Sequence, residues 1–174
     1  MPVQPILRYP HPVLKKLCNR VEKIDQCIHD LIQDLVDTMH EGPGSVGVAA
    51  SQIGVTLRVC VVDVSKNRHG KENNHGLLRM INPEITDRSG SATMREGCMS
   101  VPDYTGDVDR ATEITLQFSE PDGTFQVITA SGFEAVAIQH EMDHLDGVLF
   151  LDRVTSIKSA CCYYLKCPIR LAEL

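Results

Sequence analysis

Residues 140–144 read His-Glu-Met-Asp-His, and this short run dictates more about the chain than any other segment. Two histidines four apart share one face of a helix, so both imidazoles can reach a single metal ion. Glu141, one residue on, points into the neighbouring space, where its carboxylate could take a proton from a water and pass it to a leaving group. A fold carrying this run must hold it as a helix and turn the histidines inward. The flanks agree: Ser131 and Glu134 have capping-box spacing, and Gly147 stands where a C-terminal cap glycine belongs. Phe133, Val136, Ala137, His140 and His144 fall on one helical face by spacing. A lone histidine on such a face is usually a hydrogen-bonded core residue; two at this spacing around a glutamate favour metal chemistry.

Two histidines alone leave an ion short of protein ligands. The extended zinc-endopeptidase pattern runs correctly to Gly147 but meets Phe150 where its third histidine belongs. Glu173 is the only glutamate after His144, so a downstream glutamate ligand is disfavoured. Asp146 and Asp152 stay open as ligands, and an upstream residue is the better candidate. Glu96-Gly97-Cys98-Met99-Ser100 supplies one, because glycine lets the backbone approach an ion and thiolate binds Zn2+ or Fe2+ strongly. By itself Cys98 reads more often as a buried structural thiol. Gly47-Val48-Ala49-Ala50-Ser51-Gln52-Ile53-Gly54 is a run of small residues in which the Gln52 amide could hydrogen-bond a substrate oxygen. Alone, it would pass for a glycine-rich turn.

The remaining pattern is α+β. Ile24, Ile28, Leu31, Leu35 and Met39 recur at helical spacing and predict a helix over Asp25 to His40, stopped at Gly42-Pro43-Gly44. Leu57 to Val64 and Leu77 to Asn82 read as strands, and Glu113 to Phe118 and Thr124 to Ala130 flank the hairpin signal Pro121-Asp122-Gly123. Ile6 to Cys18, broken by Pro10 and Pro12, reads as an extended arm.

At 174 residues the chain suits one domain, and 43% hydrophobic with 23% charged residues is globular composition. A net charge of -6 argues against direct nucleic-acid or anionic-membrane binding. Seven cysteines, an odd number without C-x-x-C pairs, fit a reducing compartment. The first residues lack a signal-peptide pattern and no apolar run reaches membrane-spanning length.

Taken together, the segments Ser45 to Gln52, Glu96 to Ser100 and His140 to His144 resemble the three motifs of the peptide deformylase family, in the family's order. The likeness runs from Ile6-Leu7-Arg8-Tyr9-Pro10 through Leu149-Phe150-Leu151-Asp152. It implies a single catalytic domain over residues 1–174, with mainly antiparallel sheets packed around a central helix and a divergent tail from 155. The implied activity is hydrolysis of the N-formyl group from N-terminal formylmethionine of nascent peptides, releasing formate. The implied metal ligands are Cys98, His140 and His144, with water in the fourth position. The implied ion is Fe2+, with Zn2+, Ni2+ or Co2+ as substitutes. Glu141 would act as general base and then acid, while the Gln52 side chain and the Met99 N–H would stabilise the oxyanion. Val46, Phe133, Val136 and Ala137 suit a methionine pocket, and the peptide would pair with the segment around Val46 and Gly47. Glu96 and Arg110 would form an ion pair holding the cysteine strand.

Three departures accompany the likeness. Ser45 stands where the pattern has its first glycine, so a positive φ there would strain it, with Gly44 offering relief. The stretch Asp103 to Asp107, read as a loop, lacks a basic residue near the substrate. In the tail, Cys161, Cys162 and Cys167 precede Pro168, which predicts a short packed helix with buried thiols rather than a second metal site, and lends no support to ribosome contact. An arm beginning at Ile6 leaves no room for a transit peptide, so a bacterial cytoplasmic protein is expected.

Overall fold

The computed structural model describes residues 3–155 and 161–162. The first long helix, α1 (Gln26–Glu41), starts where Asp25 caps it by accepting from the Cys27 N–H at 3.1 Å. Ile28, Leu31, Ile32, Leu35, Val36 and Met39 form its buried stripe. That stripe packs on Val48, Val59, Val61 and Ile81 of a five-stranded antiparallel sheet.

The sheet runs in the order β1 (Gly47–Ala49), β2 (Val59–Val62), β3 (Leu78–Ser89), β6 (Glu113–Ser119), β7 (Phe125–Ser131). A three-stranded sheet joins β4 (Ala92–Cys98), β5 (Val101–Arg110) and β8 (Cys161–Cys162). Between them lies α2 (Gly132–Leu145), which carries the histidine pair. The β6–β7 hairpin turns as its residues require: Glu120 N donates to Thr124 O at 2.8 Å, and Gly123 takes a φ of +87 that suits glycine.

Several expectations are corrected. The strand read at Leu57 to Val64 shortens to β2, whereas the strand read at Leu77 to Asn82 extends to Ser89. It does so through register shifts and the positive φ of Asn82, whose amide clamps both the N–H and C=O of Val21. Asp103 to Asp107 is not a loop but part of β5. Strand β4 buries only Glu96 fully, so apolar alternation was never required of it, and β5 buries the charged Arg110 alongside Val101 and Val108.

The capping box is also corrected. Ser131 holds the N-cap position, but its side chain makes no cap bond. Glu134, buried, instead accepts from the His75 backbone N–H at 2.7 Å and pairs with His75 Nδ1 at 2.8 Å. Nor does α2 bury a single face: Glu134 to Leu145 are buried all round except half-buried His140, which is how a helix wrapped by sheets must look. Gly147 follows the helix with a φ of +71, as a cap glycine does. In the tail, Cys161 and Cys162 pair with Thr105 and Tyr104 as strand, not helix; the rest of the expected tail helix and its thiols lie outside the described residues. Among the described residues no helix is long and apolar enough to cross a membrane.

Candidate metal centre

Three elements converge at one point. The C-terminal half of α2 supplies His140, Glu141 and His144, the end of β4 supplies Cys98, and the single turn after β1 supplies Gln52. The ligand atoms of Cys98, His140 and His144 all lie within 4.8 Å of one another, with Cys98 Sγ 3.2 Å from His144 Nε2. His140 Nδ1 donates to Glu96 Oε2 at 2.8 Å. That bond fixes the tautomer and leaves the Nε2 lone pair for a metal. Phe150, where a third histidine would stand in the endopeptidase pattern, stacks on the His140 ring at a centroid distance of 6.4 Å. Neither downstream aspartate joins the cluster: Asp146 pairs with Arg58 and Asp152 with Lys15, each at 2.6 Å.

The site fits a divalent ion on chemical grounds. A thiolate and two imidazoles are the donor types Zn2+ and Fe2+ take. Two buried polar atoms beside them, Glu141 Oε2 and His144 Nδ1, have no hydrogen-bond partner among the described residues. Buried atoms left unpaired in this way call for an ion, a water or a catalytic role to account for them.

Electrostatics follow from burial and neighbours. Burial pushes the Cys98 thiol up, but the His144 and His140 imidazoles outweigh it and hold it well below its ordinary range. Burial raises the Glu141 carboxyl to about 7, against the pull of His140 and His144. Burial would also raise Glu96, yet its bonds to Arg110 and His140 prevail and bring it to about 2.

The Glu96–Arg110 pair expected from the motifs is present and bidentate, at 2.7 and 2.9 Å. It belongs to a longer chain of charge. Arg110 also reaches Asp143 at 2.5 Å, and Arg153 grips the same aspartate at 2.5 and 2.7 Å. Sequence reading missed Asp143 and Arg153. No local pattern carried this: it is the burial of α2 on every side that obliges Asp143 to find a charged or hydrogen-bonding partner.

Because the Glu96 pKa falls on folding, its stabilisation is present above its ordinary value of 4.5 and is lost as pH drops through about 2. Glu96→Gln should therefore lower the thermal midpoint at neutral pH, with the gap to wild type closing as acid titrations approach the lower value.

Gln52 is held by its Oε1, which accepts from Ala49 N at 2.9 Å, so its Nε2 turns to Ser100 Oγ at 3.2 Å and Cys98 Sγ at 3.5 Å. Gly47 lies against Glu141: a Cβ there would come within 2.7 Å of Glu141 Oε1. Met99 sits half-buried in the two-residue turn between β4 and β5, its sulfur pressed on Gly42. Val46 and Phe133 are half-buried and pack on the core cluster containing Ala137, while Val136 is buried on α2. Ser45 does not adopt a positive φ; Gly44 takes it instead, at +73, so the strain considered for the serine does not arise. A basic residue does reach the 103–107 segment, since Arg95 on β4 bonds Asp107 and Thr105 across the ladder. A groove of about 510 Å³ lined by His29, Gln33, Arg79, Glu120 and Thr124 shares no residue with the cluster. Chemistry, not cavity size, locates the site.

A buried carboxylate poised near neutrality, beside converging thiolate and imidazoles, is the equipment of a metal-dependent hydrolase. Comparison with known proteins narrows this class. The sequence profile of the polypeptide deformylase family matches residues 3–160. The peptide deformylase of Syntrophobacter fumaroxidans is 42% identical over 157 residues, covering 90% of this chain and 89% of that protein. That of Rhizobium meliloti is 40% identical over 159 residues, covering 91% and 88%. The crystal structure of Ehrlichia chaffeensis peptide deformylase in complex with actinonin superposes with a TM-score of 0.84 at 37% identity, over 91% of this chain and 92% of that one. That of the Legionella pneumophila enzyme gives 0.82 at 35%, over 91% and 89%. The chain belongs to the polypeptide deformylase family.

Proposed function

We propose that this chain removes the formyl group from the N-terminal formylmethionine of newly made proteins, releasing formate and a free amine. The observation that carries the reading is Glu141: a buried, unpartnered carboxylate oxygen beside the Cys98, His140 and His144 cluster. In this reading those three residues hold one divalent ion, Fe2+ in the cell, with Zn2+, Ni2+ or Co2+ as substitutes. When bound, the ion supplies Lewis acidity toward the formyl oxygen and toward a water.

The chain's own residues carry the rest. Glu141 takes a proton from the water as its oxygen adds to the formyl carbon. The same carboxyl returns that proton to the nitrogen as the C–N bond breaks. Burial raises this carboxyl above the ordinary range, which favours its holding the proton between the two transfers. Gln52 Nε2 and the Met99 N–H serve the oxygen that gains negative charge. Glu96, itself locked by Arg110, keeps the His140 tautomer. The peptide runs along the open edge of β1, and Val46, Phe133, Val136 and Ala137 receive the methionine side chain. Residues 1–174 act as one catalytic domain on nascent peptides in the bacterial cytoplasm, without direct nucleic-acid or membrane binding.

Formate release from formyl-methionyl peptides, measured anaerobically on iron-loaded protein, tests this function. Its absence from fully metallated protein sinks the reading. Gly47→Ala probes the geometry: the added methyl forces Glu141 aside. A shift of this size should lower kcat by about 100-fold while the ion content measured by atomic emission stays at the wild-type level.

A further inference from the structure

The outer edge of β1 can be read group by group. Gly47 is paired with Val62 and Val48 with Val61, while the Asp63 N–H donates to the Val46 carbonyl at 2.9 Å. Hydrogen-bonded and non-hydrogen-bonded pairs alternate in an antiparallel ladder. Val46 and Val48 therefore turn their polar groups toward β2, and Gly47 and Ala49 turn theirs out of the open edge. Ala49 bears this out, since its N–H donates outward to Gln52 Oε1 at 2.9 Å. The outward Gly47 carbonyl lies at the residue whose Cα touches Glu141, and it is already engaged: Ser45 Oγ donates to it at 3.1 Å.

The serine is presented by a braced turn. Ser45 N donates to the Gly42 carbonyl at 3.1 Å, Gly44 adopts the left-handed φ of +73, and Gly42 is pinned under the Met99 side chain. The hydroxyl is thereby held on one of the two lone pairs of the outward Gly47 carbonyl.

We propose that Ser45 sets the affinity of this enzyme for its peptides, its hydroxyl occupying the Gly47 carbonyl that an incoming backbone N–H requires. The inference rests on the deformylase reading above and deepens it. Each peptide must displace the serine hydroxyl before it can pair with β1. The displacement persists from ground state to transition state, so its effect belongs in KM rather than kcat.

The test compares wild type, Ser45→Ala and Ser45→Thr, all iron-loaded, on a formyl-methionyl tripeptide, with calorimetric binding of the deformylated methionyl tripeptide as a second readout. Giving up one neutral hydrogen bond corresponds to about a three- to tenfold effect on binding. Ser45→Ala should lower KM and the product Kd by that factor, with kcat moving less than KM, and Ser45→Thr, which restores a hydroxyl, should return both toward wild type. Unchanged or weaker binding by Ser45→Ala overturns the inference. Absence of formate release from wild type would overturn the deformylase reading instead, and the calorimetric comparison would still decide the role of Ser45.

Discussion

Glu141→Ala abolishes useful turnover, lowering kcat for formate release by about a thousandfold, while the protein still binds its full complement of metal. The expectation follows from where the carboxylate stands. Glu141 is buried, its Oε2 has no partner among the described residues, and Gly47 holds it from the other side. It contributes little to pairing in the fold, so in the proposed mechanism its loss removes proton transfer and leaves the Cys98, His140 and His144 cluster in place. Removing an unpaired buried carboxyl also relieves desolvation, so the thermal midpoint should hold or rise. Parallel measurement of formate, metal content and melting decides the point. A large loss of metal in Glu141→Ala would show that the carboxylate acts as a ligand rather than as a base.

Cys98→Ala has the other large effect, and a different signature. The cluster loses its thiolate and keeps only two imidazoles, below the three protein ligands that open catalytic sites usually have. Metal content should fall to a small fraction of wild type, and activity should fall with it. The stabilisation that wild type gains from added metal should also vanish, because ligand binding raises stability only where the folded state binds. A variant retaining stoichiometric metal would remove Cys98 from the ligand set.

The two experiments separate base from ligand, and the network behind them explains why they are separable. Glu96 holds His140, Arg110 holds Glu96, and Asp143 ties Arg110 to Arg153. The histidine face of α2 is thereby braced independently of Glu141.

Much of this was legible in the chain. The helix over residues 25–40 appears within one residue at each end because its cap and its apolar period are local properties. The β6–β7 hairpin follows for the same reason. Where a segment is polar and only partly covered, as in β4 and β5, or as short as β1, local pattern carries little information and the strands went unread. Glu134 shows the opposite failure: its spacing from Ser131 was right for a cap, but burial against the His75 segment offered a better partner.

By itself the sequence determined the histidine spacing, the glutamate between, the cysteine after glycine and the order of the three motifs. Helical period and residue chemistry are written one neighbour at a time, so they can be read without coordinates. Only the tertiary structure decided that Cys98 meets His144, that Gly47 must stay small beside Glu141, that Asp143 is clamped by two arginines, and that Ser45 occupies an outward carbonyl. These contacts join elements distant in the chain or depend on which edge of a strand is open, and both are set by packing and ladder register rather than by any local pattern.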